Sequence, residues 1–272
     1  MIAVTAGHQV PAWLAQTGLK PWQLAFFIAG VPGIALALLI ALLREPARQR
    51  ADTVADSGIA EAWRHGVALR SVYLPLFLGM AANTAISSGF ILWFPSHLIR
   101  NLGFAPASAG QWFGLLFMLC ASLGVLAGGW LASRWEAGGR RDSFPRVMAL
   151  AVAVALLPYL FATRVEQPAL ALALMAVAVF CTQSLAGVSV TAIQVITPNR
   201  LRAKLSSVYL LFVNLVGFTL GAPSIAWLSD RWLGGGNAIG AAISWAALLY
   251  VPLALLCFQR ARAAFADAPR QL

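Results

Sequence analysis

The sequence predicts an all-α integral membrane protein, a polytopic helical bundle of about seven transmembrane helices. Three observations carry that prediction: charge is scarce, uncharged apolar runs long enough to cross a bilayer recur along the chain, and basic residues are confined to the gaps between them. Of 272 residues, 60% are hydrophobic and only 10% charged, and mean hydropathy is +0.79. A soluble domain carries about 25% charged residues. The net charge of +10 raises nucleic acid as a partner. A nucleic-acid binder, however, gathers its basic residues on one soluble face, so none is expected here. Cys120, Cys181 and Cys257 lie in apolar stretches without a C-x-x-C pairing. Neither a disulfide framework nor a metal site is readable, and no cofactor is expected.

A hydrocarbon core about 30 Å thick needs roughly 20 apolar residues in a helix. On that ruler the spans are Pro21 to Leu43, Val72 to Phe94, Gln111 to Leu131, Val147 to Thr163, Pro168 to Val190, Ser206 to Leu228 and Ala238 to Phe258, each free of Asp, Glu, Lys and Arg. The fourth is the shortest. The first lies too far from Met1, and lacks the basic flank, to be a cleaved signal peptide. The chain divides accordingly into residues 1–43 (an external segment and the first span), 44–71 (a cytoplasmic linker), 72–258 (six spans) and 259–272 (a cytoplasmic tail).

Lys and Arg in connecting loops are retained in the cytoplasm. If the loop after the first span is cytoplasmic, that side holds fifteen of them, among them Arg134, Arg140, Arg141, Arg200, Arg202 and Lys204, against Lys20, Arg100, Arg164 and Arg231 outside. The asymmetry puts the N-terminus outside and the C-terminus inside. Arg200, Arg202 and Lys204 then form a cytoplasmic turn that anionic lipid headgroups attract. "GGGN", Gly234 to Asn237, is an external turn, and His97 beyond the second span reads as a solvated loop histidine.

Inside the spans, small residues and uncharged polar groups are the informative features. Gly124 and Gly128, like Gly217 and Gly221, are four apart and share a helix face. Such pairs let backbones approach closely in lipid. Asn83 and Ser87 share a face of the second span. Gln183, Ala186, Gly187 and Val190 follow the i, i+3, i+4, i+7 pattern, which Gln194 extends, and Asn214 heads the Gly217 and Gly221 stripe. These amides and hydroxyls can serve either as interhelical glue or as contacts to a solute.

"GGWLASRWEAGGRRD", Gly128 to Asp142, resembles the signature cytoplasmic loop of the major facilitator superfamily. Gly129, Leu131, Ala132, Arg134, Gly139, Arg140 and Arg141 match, while Ser133 stands where the motif has Asp and the spacing is longer. "WQLAFFIAGVPGIALALLIALLREP", Trp22 to Pro46, is similar to the helix that closes the N-terminal half. Thr197 to Asp230 resembles the tenth-to-eleventh helix region of the spinster-like branch. The resemblance implies a partial major facilitator fold, the equivalent of helices six to twelve, in a secondary transporter that rocks two six-helix halves.

The same resemblance implies that the second and fifth spans line a central cavity, making Asn83, Ser87, Gln183, Gln194 and Asn214 candidates to contact a small organic solute. It also makes Gly129, Arg134, Arg140 and Arg141 candidates for a gating loop. The first five helices, where the proton-coupling carboxylate of the branch is expected, are missing. A truncated product, a start set inside a longer gene and a separately encoded partner all account for that, and a missing N-terminal half joins membrane lipid among the expected partners. The expected location is the plasma or inner membrane. A membrane enzyme would need clustered His, Asp, Glu, Cys or Ser at matched depth, and the spans offer none. A non-transporting subunit or inactive fragment remains the rival reading.

Overall fold

The structure, a computed structural model, describes residues 21–43, 58–235 and 238–270. The N-terminal segment before Pro21, linker residues 44–57 with Arg44, Arg48 and Arg50, the Gly236–Asn237 end of the external turn, and the last two residues lie outside the described residues. The helices are α1 (Pro21–Ala41), α2 (Ile59–Ala68), α3 (Arg70–Arg100), α4 (Pro106–Ala137), α5 (Ser143–Phe161), α6 (Pro168–Ile196), α7 (Asn199–Trp232) and α8 (Ile239–Asp267). Helices α3 to α8 are each long and apolar enough to cross a membrane, and α1 is apolar along Gly30–Ala41. Six of the predicted spans thus coincide with helices long enough to cross, and the first with the shorter apolar helix α1. Helices α3, α4, α6, α7 and α8 overrun their predicted spans by several residues at one or both ends, where polar flanks continue the helical hydrogen bonding, while the first and fourth predicted spans run two residues past the ends of α1 and α5.

Packing among α3 to α8 has a repeating logic. Helix α4 packs on α6 as α7 packs on α3, α3 pairs with α8 as α6 pairs with α5, and α5 meets α8. Exchanging α3–α4–α5 for α6–α7–α8 maps the first four of these contacts onto one another in pairs and the α5–α8 contact onto itself. Three crossings reverse the direction of the chain, so the two three-helix units run oppositely, the arrangement of an inverted repeat. The buried face of α7 recurs every fourth residue, from Leu201 through Leu205, Tyr209, Val213, Gly217, Gly221 and Ile225 to Ser229. Gly124, Gly128 and Ala132 do the same on α4. Rows of this i+4 kind are the ridges that interdigitate where helices cross closely.

Burial differs sharply among the crossings. Only 17% of the α4 span and 28% of the α7 span is buried, against 61% of α3. Helices α4 and α7 thus form the margins of the bundle, exposing Leu115, Leu119, Leu123 and Trp130 on one and Leu211, Leu215, Phe218 and Trp227 on the other. Among the described side chains, helix α1 is exposed from Gly30 to its end at Ala41. Apolar margins of this extent are stable only against lipid or another protein surface.

Within the predicted linker the structure holds a helix that the sequence reading did not anticipate. Ile59, Ala62, Trp63, Gly66 and Val67 fall at i, i+3, i+4, i+7 and i+8 on α2, with Glu61 and Arg64 away from that stripe. This is the pattern of a surface-lying amphipathic helix.

Candidate functional site

The glycine pairs act at the two equivalent crossings. Added β-carbons at Gly124 and Gly128 would fall on the backbone carbonyls of Phe180 and Ser184 in α6. At Gly217 the obstruction would be Thr84, whose Cβ and Cγ2 are each 2.6 Å away, and at Gly221 it would be the Ser88 hydroxyl and the Ala85 carbonyl. Each pair therefore seats one helix directly on another. Gly129 has open space around it.

The polar candidates divide into two sets. Asn83 is 5% exposed, one turn beyond Gly79, where a β-carbon would meet Phe258 of α8. Ser87 is half-buried and donates to the Thr84 carbonyl at 3.2 Å. On α6, Gln183 is half-buried, while Ala186, Gly187, Thr191 and Gln194 are exposed; this side of α6 is not used in packing. Asn214 is exposed on α7 and returns its Nδ2 to the Leu210 carbonyl at 2.7 Å. The bundle thus uses the Ser87 and Asn214 donors for local backbone bonds and leaves the α6 glutamine stripe on an unpacked surface.

The α4–α5 loop is built from its glycines outward. Gly139 has φ +81. Its N–H donates to the Glu136 carbonyl at 2.9 Å, and Arg140 N–H donates to the Trp135 carbonyl at 3.1 Å. This pair of bonds is a Schellman cap, which needs a left-handed residue that glycine supplies without strain. The abrupt turn after α4 follows from it. The arginines are then held by aromatic rings: the Arg134 guanidinium lies 5.4 Å from the Trp130 ring centroid, and that of Arg140 lies 5.7 Å from Trp135. Cation–π contacts of this kind hold a charge beside an apolar surface.

Ser133 is exposed, and the loop finds its carboxylates elsewhere. Asp142 accepts from Arg146 at 3.0 Å and from Arg262 of α8 at 2.9 Å. Glu136 pairs with Arg270 beyond α8, and Arg270 also donates to the Arg141 carbonyl at 2.8 Å. Burial opposes ionisation of Asp142, but the hydrogen bonds and charges of Arg262 and Arg146 outweigh it and hold the carboxyl below its usual range. Sequence reasoning missed this clasp. Its signal was the coincidence of Glu136 and Asp142, flanking the loop, with an arginine-bearing C-terminal segment.

His97 corrects its reading as a solvated residue. Helix α3 continues to Arg100, so the side chain is carried into the bundle, 3% exposed, with its ring 6.0 Å from that of Phe94. Across the same end, Thr163 donates to the Gly240 carbonyl at 2.8 Å. Among the described residues no cluster of three or more His, Cys, Asp or Glu could hold a metal.

Comparison with known proteins places this geometry. The family model described as Major Facilitator Superfamily matches residues 1–222. Two solved structures of a bacterial homologue of the human lysosomal transporter Spinster share the fold. The inward-facing, unoccupied form is 23% identical with a TM-score of 0.59, covering 91% of this chain and 58% of the other. The inward-facing, occupied form is 22% identical with a TM-score of 0.57, covering 97% and 60%. The chain thus spans under two thirds of their length. No curated protein matches it.

Proposed function

Because the chain belongs to the major facilitator superfamily, we propose that it is the C-terminal portion of a spinster-like secondary transporter that moves a small organic solute. In this reading α3 to α8 form one six-helix half, α1 closes the other half, and five further helices complete the machine. The fifteen-to-four distribution of basic residues supports a cytoplasmic α4–α5 loop and C-terminus in a cell or inner membrane. Solute passes along α3 and α6, touching Asn83, Ser87, Gln183 and Gln194, with Asn214 at the α7 margin. Gly129, Arg134, Arg140 and Arg141 belong to the loop that governs inward opening.

The observation that carries this reading is the α6 stripe. Gln183 and Gln194 sit with small residues on a surface that the bundle leaves unpacked. An amide in hydrocarbon without a partner costs a few kcal/mol, so such a stripe belongs beside water, solute or a polar partner surface. The test is solute uptake by protein isolated from its native membrane and reconstituted in vesicles. Gln183→Ala is expected to raise the half-saturating solute concentration about three- to tenfold, the loss of roughly one hydrogen bond. Failure of every solute to move would favour a non-transporting subunit instead. Arg134→Ala in the same vesicles is expected to slow uptake with insertion intact; unchanged uptake would reduce the loop to a topological anchor.

A further inference from the structure

Helix α7 runs to Trp232 with Pro223 inside it. A proline within a helix has no N–H to give the carbonyl four residues back, here that of Thr219, and its ring crowds that carbonyl. In a membrane the loosened backbone is tolerated because neighbouring helices and Ser or Thr side chains supply hydrogen bonds. Around Pro223 they do so on consecutive carbonyls. The Tyr250 hydroxyl of α8 shares its proton between the Ser224 hydroxyl at 3.1 Å and the Leu220 carbonyl at 3.4 Å. Ser224 gives its own proton to the Gly221 carbonyl at 2.9 Å. From α3, Trp93 Nε1 donates to the Ala222 carbonyl at 3.0 Å.

Close packing grips the same turn. A β-carbon at Gly89 of α3 would strike the Ile225 side chain and come within 3.4 Å of the Gly221 carbonyl. Outward of the proline, Ile225 is 0% and Ser229 2% exposed, which ties that part of α7 into the bundle. Inward of it, α7 touches the bundle along the single row of Val213, Gly217 and Gly221, with Asn214, Leu215, Phe218 and Thr219 exposed beside it. A helix seated on one row can change its angle at a joint without unpacking a second face. Gly217 meets Thr84, and Gly221 meets Ser88, so this row lies at the level of Asn83 and Ser87.

We propose that Pro223 is a joint in α7, fastened from two sides by Trp93 and Tyr250 as positioning residues, at which the inner part of the helix changes its angle to α3. Hinges are commonly a few residues that absorb such a change. The use of the joint in solute passage rests on the transporter reading above; the joint itself does not. A plain helix-packing role for Trp93 would be indifferent to the proline, whereas a strut on a loosened turn depends on it.

The test is hydrogen exchange of the reconstituted chain, read at the amides of residues 224–227. Pro223→Ala restores the missing N–H without adding bulk, and is expected to slow exchange there at least about tenfold. Trp93→Phe and Tyr250→Phe are each expected to speed it about threefold, the worth of one interhelical hydrogen bond in a membrane, in the parent chain but not in the Pro223→Ala background. Exchange unmoved by Pro223→Ala overturns the joint, and equal acceleration in both backgrounds overturns the role of the struts. In vesicles that take up solute, Pro223→Ala is expected to cut the maximal rate to roughly a third or less, with the half-saturating concentration unchanged. Slowed exchange with an unaltered maximal rate overturns the joint's part in solute passage. If the parent chain moves no solute, the transporter reading fails and the exchange results alone decide the joint.

Discussion

The α4–α6 and α3–α7 crossings occupy equivalent places in the two repeats, and both are seated on a pair of glycines four residues apart. What the glycines meet is different. Gly124 and Gly128 lie against backbone carbonyls, which can move only with their helix. Gly217 and Gly221 lie against Thr84 and Ser88 as well as the Ala81 and Ala85 carbonyls, so part of the contact is side chain. Equivalent topology therefore yields one crossing fixed by main chain and another with some capacity to adjust. The adjustable crossing includes α3, the helix that carries Asn83 and Ser87.

Breaking the fixed crossing has the largest expected effect. Gly128→Ala forces a methyl onto the Ser184 carbonyl, and overpacking of this kind costs about 1–3 kcal/mol. Thermal unfolding in detergent is expected to show the greatest loss for this variant, with Gly124→Ala close behind. No side-chain truncation on α6 should rescue either, because the obstacle is backbone. Gly221→Ala is expected to cost less in combination with Ser88→Ala than alone, a positive coupling that a double-mutant cycle would read. Additive effects would show that both crossings are equally rigid.

The clasp between the α4–α5 loop and α8 gives an intermediate effect. The folded-state pKa of Asp142 is depressed, so its contribution to stability is present above the ordinary carboxylate value near 4 and is lost as pH falls through the folded value. Its partial exposure limits the size, and the half-buried Arg270–Glu136 pair contributes about 1 kcal/mol. Asp142→Asn is expected to flatten the acid side of the stability–pH profile. A profile identical to that of the parent chain would remove the clasp from the account. Gly129→Ala, in open space, is expected to change stability by under about 0.5 kcal/mol, which makes it the control for the glycine series.

These differences also show what a linear sequence discloses. Apolar length and the absence of charge identify every span, because hydrocarbon imposes that requirement on each helix separately. The glycine pairs are legible as close contacts for the same reason. Their partners are not, since Phe180 and Ser184 have no distinguishing mark until the fold brings α6 beside α4. Helix α2 was hidden by its length: ten residues are too few for a membrane ruler, and only its i+4 pattern betrays it. His97 was misplaced because polar composition suggested a loop where helix continuity and Phe94 carry it inward. The polar candidates were legible by type, but whether each faces packing or an open surface depended on neighbours far away in the chain.

The central proposal is that this chain is the C-terminal portion of a larger transporter. Mass spectrometry of the protein isolated from its native membrane through a C-terminal tag tests it most directly. The account predicts peptides from five further apolar helices, on the same polypeptide or on a tightly held partner. Recovery of the 272-residue chain with no such helices would contradict it.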